Sequence, residues 1–417
     1  MDALLLTYGS QGDVQPFIAL AGELRAAGHG VRLAGPARSA KLAGDLDYRP
    51  ITDALIEAVD TDEVRQARDS GKGAGAVARS LGAVKVAARE ALDDSWSAAA
   101  DGADVIVHHP ITAGHHLAEK LGVPSVLASL FPTNVPTSEF PCATAPVRLP
   151  KALNRLTYRL DGLAGLALRG TIDDWRGSLG LLKRRGHHDF LRDPRGEHVT
   201  VLNAFSRHVV PPPADWPVSV HTTGYWFLPA DPEWTPPAEL TAFLDAGEPP
   251  VCVTFGSLVG ADPAKTARTV LAAIRAAGVR AVLIAGWGGL RVDEVPDDVL
   301  VVDQVPYDWL FPRVAAVVSH SGAGTSSAAA AAGRPQVGIP MDVEQPMWAA
   351  RLHGLGVGPA PIPYGELAEA PLAAALRAVT TEPAYASRAA ELGELINAEG
   401  GAAEAVAVLE RTLRARK

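Results

Sequence analysis

One short stretch restricts this chain more than any other. Val314 to Val318 reads as a buried strand that breaks into the small-residue turn His320-Ser321-Gly322-Ala323-Gly324-Thr325. A run of alanines and serines follows and stops at Gly333, with Pro335 blocking any continuation. A second apolar strand, Gln336 to Ile339, then leads into the polar turn Met341-Asp342-Val343-Glu344-Gln345. Strand, small helix and strand in so short a span read as one βα unit of a doubly wound sheet. Glycines at 322 and 324 let the backbone approach a ligand, and amides exposed at the helix start beside Thr325 make a seat for an anion such as phosphate. His320 adds a donor, and Glu344 and Gln345 add an acceptor and an amide one crossover later. The pattern suits a ligand that carries both phosphate and hydroxyls.

The same rhythm runs through the chain. Ala3 to Tyr8 reads as a buried strand, followed by the loop Gly9-Ser10-Gln11-Gly12-Asp13-Val14-Gln15. Pro16 is predicted to start a helix whose apolar face is Phe17, Leu20, Ala21 and Leu24, ending at Gly28. Strands at 31–34, 105–107, 125–128 and 199–203 and a helix at 114–121 continue a doubly wound sheet, whose ligand crevice lies at the carboxyl ends of its strands. Residues 60–100 and 132–188 carry weaker patterns. Prolines crowd the stretch from Pro211 to Pro237, which reads as a stiff connector. A second alternating series begins at Pro250, with a strand into Phe255-Gly256-Ser257, a helix at 263–277 and strands at 281–284 and 300–302.

A chain of 417 residues suits two such domains, and 47% apolar with 20% charged residues is globular. A net charge of −9 gives no electrostatic reason to expect nucleic acid. The start, MDALLLTYGSQGD, has no basic region ahead of its short apolar run and reads as a strand, not a signal peptide. No stretch offers the ~20 apolar residues of a membrane span. Of the two cysteines, Cys142 and Cys252, the second sits in a strand-like run as a small core residue. These features fit the reducing cytoplasm.

The stretch around His320 resembles the donor-binding signature of inverting glycosyltransferases of family 1, the GT-B type that includes antibiotic, macrolide and sterol glycosyltransferases. Ser319-His320-Ser321-Gly322-Ala323-Gly324-Thr325 is similar to the family's HHGGAGT, and Glu344-Gln345-Pro346-Met347-Trp348-Ala349-Ala350-Arg351 to its D-Q-P-x-W-A-x-R. Ser319 replaces the first histidine of the pair, and Glu344 stands where Asp is commoner. The loop G-S-Q-G-D-V-Q-P resembles the family's G-x-x-G-D-V-x-P, with Gln11 where Arg or Glu is frequent. The resemblance implies two Rossmann-like domains across a cleft: an acceptor domain at 1–212, a proline-rich linker at 213–249, a donor domain at 250–396 and a C-terminal helix, 397–417, that crosses back onto the first domain.

It also implies roles. Asp13 is the base that deprotonates the acceptor hydroxyl; on spacing alone it caps the helix near Pro16 equally well. His320 stabilises the leaving diphosphate with Ser321, Gly322, Gly324 and Thr325. Ser257 matches a phosphate-contacting serine, with a turn or helix cap as the other reading. Glu344 and Gln345 hold sugar hydroxyls. Trp287, Gln304 and Val305 match segments enclosing the nucleotide base, with Ala285 where Arg is common before the Gly-Trp pair, and core packing as the other reading of Trp287. The expected reaction is metal-independent and cofactor-free, moving a hexose from UDP-glucose, or alternatively a TDP-sugar, to an apolar natural-product or lipid-like hydroxyl. Peripheral membrane contact by the acceptor side stays open.

Two rivals are weighed. Gly322-x-Gly324 after a strand loosely imitates a dinucleotide fingerprint, which would suit an NAD-dependent oxidoreductase, but the third glycine is missing. A non-catalytic relative that binds nucleotide-sugar is the other. Three further signals are declined. Asp45-Leu46-Asp47 and Asp60-Thr61-Asp62 have the D-x-D form of metal-binding transferases without its strand context. The paired histidines 108/109, 115/116 and 187/188 would diverge on a regular element. Lys183-Arg184-Arg185 reads as an exposed charge run.

Overall fold

The computed structural model describes residues 1–59, 81–142, 150–255, 262–285, 295–341 and 344–414, and only the backbone of 160–165. The chain divides into two compact units, one of Met1–Leu228 with Gly400–Lys417 and one of Pro229–Glu399. Each is built on a wholly parallel sheet.

The first unit's sheet has strands β1 (Asp2–Leu6), β2 (Gly30–Pro36), β3 (Asp47–Ile51), β4 (Val105–His108), β5 (Ser125–Ser129), β6 (Thr200–Asn203) and β7 (Val220–Thr222). Their order is β3-β2-β1-β4-β5-β6-β7, so the winding reverses between β1 and β4. Alternate residues of β1 serve opposite faces: Ala3 and Leu5 join a core with Phe17, Leu20 and Leu24, while Leu4 and Leu6 join one with Ile106, Leu117 and Trp175. Both faces are covered, as a parallel sheet requires. The second unit repeats the plan with β8 (Val251–Thr254), β9 (Ala281–Ile284), β10 (Val299–Val302), β11 (Ala316–Ser319) and β12 (Gln336–Gly338), in the order β10-β9-β8-β11-β12. Here the winding reverses between β8 and β11. Cys252 lies fully buried in this unit's core as a small apolar residue.

Several elements differ from the sequence reading. The first helix spans Gln11–Ala26 and encloses Pro16 instead of starting there. Ser10 and Asp13 meet across its first turn and nucleate it early, and the one bond Pro16 forfeits would have gone to the Gly12 carbonyl. Asp13 therefore sits in the first turn of a helix, not on a loop. The proline-dense stretch is not a connector throughout. Val220–Thr222 forms the edge strand β7 and Ala238–Asp245 a helix, because short edge strands and helix starts tolerate neighbouring prolines. Strand β3 carries Pro50 and was hidden for the same reason. Asp45 and Asp47 are taken by Arg25 and Arg49, and Arg184 is held at Glu119 instead of standing exposed. Asp60-Thr61-Asp62 lies outside the described residues.

The last helix, Gly401–Arg414, belongs to the first unit. Ala402, Ala405, Val406 and Leu409 recur at helical spacing and enter the core around Leu20 and Leu24. Glu410 meets His29 at 3.0 Å, and Glu404 meets Arg207 at 3.2 Å. Leu409 is fully buried, so Leu409→Ala is expected to lower the stability of the first unit by about 2–5 kcal/mol. Urea unfolding followed by circular dichroism would measure it, and a first-unit transition that does not move would contradict this account of the helix.

Candidate functional site

In the first unit, the register Leu6↔His108 brings the ends of β1 and β4 side by side at the point where the winding reverses. His109 follows directly, its amide donating to the Leu6 carbonyl at 2.8 Å. Asp13 reaches the same place from the first turn of its helix. Ser10 holds one carboxylate oxygen, Oδ2, through its amide at 2.7 Å and its hydroxyl at 2.8 Å. Thr7 Oγ1 donates to the Asp13 carbonyl and fixes the backbone beneath it. The other oxygen, Oδ1, lies 4.0 Å from His109 Nε2, and the Asp13 side chain is 23% exposed.

So the capping and the chemical readings of Asp13 divide between its two oxygens. Gly9 makes the arrangement possible: its φ is 133°, and a side-chain carbon there would fall 2.4 Å from Asp13 Oδ2. His109 is buried between Phe17 and Phe131, with neither ring nitrogen hydrogen-bonded. Burial pushes its imidazole below the usual range, and the Asp13 charge opposes that shift. By sequence alone His109 reads only as half of a histidine pair. Its position one residue past a strand end was the available signal, but its meaning depended on β4 being the neighbour of β1.

In the second unit the corresponding point lies between β8 and β11, paired Thr254↔Ser319. His320 follows β11, and the helix Ala323–Ala331 begins three residues later. Gly322 is its N-cap and no side chain caps it, so its first amides are left for a ligand or solvent. Ser321 is the only non-glycine among the described residues with positive φ, at 61°, a conformation costing roughly 1–3 kcal/mol. Its amide donates to the Ser319 hydroxyl oxygen at 3.1 Å.

His320 is 9% exposed, its Nδ1 has no hydrogen-bond partner, and burial lowers its pKa to about 4. It is a neutral imidazole at physiological pH. A side-chain carbon at Gly322 would fall 2.3 Å from His320 Nε2, so glycine here is what lets the ring lie over the helix start. Thr325 is buried, and the Tyr307 hydroxyl stands 3.5 Å from Thr254 Oγ1. Gly324 has open space where a side chain would be. His320, Ser321, Gly322, Gly324 and Thr325 are thus one local cluster, with an uncapped helix start and a buried imidazole.

The other expected residues fall as follows. Gln345 is buried in the first turn of the helix Gln345–Gly354, and its side-chain oxygen takes the Met341 amide at 2.9 Å, which leaves its NH2 end as the donor. Glu344 is half-buried at the N-cap of the same helix. Gln304 is exposed between β10 and the short helix Tyr307–Leu310. The Val305 side chain packs in the core with Leu310 and Phe311, so only its backbone can face a ligand. Ser257 and Trp287 lie outside the described residues.

The comparisons with known proteins bear on the whole chain. Residues 3–138 match the glycosyltransferase family 28 N-terminal domain, and residues 279–412 match the erythromycin biosynthesis protein CIII-like C-terminal domain. The O-mycaminosyltylonolide 6-deoxyallosyltransferase of Streptomyces fradiae is 36% identical over 98% of this chain and 97% of its own length. A sterol 3-beta-glucosyltransferase of Arabidopsis thaliana is 34% identical over 97% of this chain, which spans 64% of that protein. Among solved structures, the glycotransferase of kitacinnamycin superposes with a TM-score of 0.72 at 22% identity, covering 98% of both chains. A Streptomyces glycosyltransferase, SsfS6, complexed with thymidine diphosphate gives 0.63 at 20% identity, covering 99% of both. Two doubly wound parallel sheets, the matches to both halves and near full-length identity to a glycosyltransferase place this chain in family 1 of the GT-B glycosyltransferases.

Proposed function

We propose that this glycosyltransferase moves a hexose from a nucleoside diphosphate sugar to a hydroxyl of an apolar acceptor of the macrolide or sterol kind, with inversion and without a metal at the diphosphate. The observation that carries the donor half is the uncapped helix start at Gly322, with the buried His320 imidazole laid over it. Backbone amides and a neutral imidazole are donors that can bind a diphosphate and stabilise charge growing on it as the glycosidic bond breaks. Glu344 and the NH2 end of Gln345 are the groups assigned to sugar hydroxyls.

Asp13 supplies the acceptor half. With Oδ2 held by Ser10, Oδ1 is the oxygen that takes the acceptor proton as the hydroxyl oxygen attacks the anomeric carbon from the face opposite the diphosphate. The anomeric carbon passes through an oxocarbenium-like state, the diphosphate leaves with the bonding pair, and the product carries the opposite anomeric configuration. UDP-glucose remains the favoured donor on the strength of the sterol-like first loop. The thymidine diphosphate complex of a structural neighbour and the deoxysugar in the name of the Streptomyces relative support the TDP-sugar reading. Calorimetric titration with UDP and dTDP separates the two. Binding of neither would overturn the donor assignment.

Asp13→Asn is expected to slow transfer by about 10²–10⁴-fold while diphosphate affinity stays within about twofold. Near-normal transfer by that variant would remove Asp13 as the base. His320→Ala is expected to lower the turnover number by about 10²–10³-fold. Gly322→Ala should reproduce that loss, because the added carbon drives the ring off the helix start. A Gly322→Ala enzyme with full activity would show that the ring is not needed where it lies. The rate should not change when magnesium or manganese is added.

A further inference from the structure

Away from both of these clusters, the first unit buries an unusual set of polar side chains where the helices Gly114–Leu121 and Arg169–Ser178 meet the turn at 185–188. Arg176, only 1% exposed, organises it. Its guanidinium donates to both Glu119 oxygens at 2.9 and 3.2 Å and to the Leu182 carbonyl at 3.1 Å, and it stands 2.8 Å from His116 Nδ1. Arg184 adds a second pair to Glu119. These bonds pull the segment after the second helix back over it, and the turn they create carries His187 and His188.

Adjacent histidines diverge on a helix or strand, but this is a turn. The two rings lie 4.0 Å apart, and both present Nε2 to the same oxygen of Asp173: His187 at 2.7 Å and His188 at 3.0 Å from Oδ1. Two features of this contact point beyond a salt bridge. The other nitrogen of His187, Nδ1, is hydrogen-bonded to the Arg184 carbonyl, and a carbonyl can only accept. The carbonyl commits Nδ1 to carrying a proton, which leaves Nε2, the nitrogen hydrogen-bonded to Asp173 Oδ1 at 2.7 Å, as the one able to ligate a metal. His188 Nε2 is buried beside that oxygen without hydrogen-bond geometry. Three electron-pair donors thus converge, their atoms all within 4.8 Å of one another.

A cation bound among them would be attracted by all three ligand atoms. We propose that Asp173, His187 and His188 form a zinc(II) site, with water as the fourth ligand, that clips the turn at 185–188 to the helix Arg169–Ser178. Two imidazoles and one carboxylate are zinc ligands, whereas magnesium and calcium take oxygen sets. Tetrahedral zinc at about 2.0–2.1 Å from each ligand needs ligand atoms about 3.3 Å apart, so the two histidine nitrogens would draw back from Asp173 Oδ1 by about 0.3–0.6 Å. The Arg184 carbonyl on His187 Nδ1 is the outer contact that commonly fixes the tautomer of a metal-bound histidine. Glu119 takes the charges of Arg176 and Arg184, while Lys183 and Arg169 bring positive charge near the cluster. Affinity for a dication therefore rests on Asp173. The site is structural and separate from the transfer chemistry.

The test uses the full chain without a histidine tag, dialysed against a chelator and titrated with zinc chloride against a chromophoric competitor. One equivalent per chain is expected, together with a rise in melting temperature on adding zinc. Asp173→Asn and His188→Ala should each weaken binding by about 100-fold or more and abolish the thermal shift. His198→Ala, on an exposed residue, should change neither. His188 is partly exposed on a turn, so its removal leaves a folded protein even if Asp173→Asn does not. Absence of micromolar zinc binding by the wild-type chain, or undiminished binding by both variants, would overturn the proposal.

Discussion

Parallel strands cannot be joined by a tight turn, and most of this molecule follows from that. Each strand must be followed by a crossover that brings the chain back to the same end, so the ends where strands stop collect the loops and helix starts. In both units the winding then reverses once, beside β1 and beside β8. Where crossovers leave in opposite directions, no helix covers the strand ends, and backbone donors and side chains can gather there. Asp13 and His109 sit at the first reversal, His320 and Ser321 at the second. Their places are set by strand order before any side chain contributes.

This explains what could be read from the sequence. Strands buried on both faces appear as unbroken apolar runs, so β1, β4, β5, β8 and β11 were visible with small errors at their ends. The helix start at Gly322 was visible because glycine, alanine and threonine at that spacing have few other uses. What stayed hidden was whatever depends on neighbours. Strands β3 and β7 lie at the sheet edge, where proline and polar residues are tolerated, and their patterns resemble loops. His109 looked like half of a histidine pair until the register with Leu6 placed it beside Asp13. The turn that brings His187 and His188 together is imposed by Arg176, which is far from them in pattern though near in sequence.

Asp13 also shows why a structural role and the proposed chemical one need not compete. A carboxylate has two oxygens, and a helix cap needs only one. Fixing Oδ2 with Ser10 removes rotational freedom from the side chain, so Oδ1 is held in one place before substrate arrives. That reduces the entropy lost when a reacting group is oriented. The same logic applies at Gly9 and Gly322, where the missing side chain is what lets Asp13 and His320 take up their positions. The left-handed backbone at Ser321 belongs with them: the sheet and the helix that flank it are well packed enough to hold a conformation that a free chain would avoid.

The choice of donor at the second site bears on turnover. An arginine or lysine over the helix start would bind a diphosphate strongly both as part of the sugar donor and as the released product. Such uniform binding does not speed the chemical step, and it slows product release. A buried imidazole whose pKa has fallen to about 4 carries no net charge at neutral pH. In the proposed reaction such a group would interact weakly with the intact sugar donor and more strongly as negative charge develops on the leaving oxygen. Burial of His320, whose ring position the missing side chain at Gly322 permits, therefore does more than desolvate a side chain. It converts a potential cation into a neutral hydrogen-bond donor, which is the kind of group the proposed reaction would use as the diphosphate leaves.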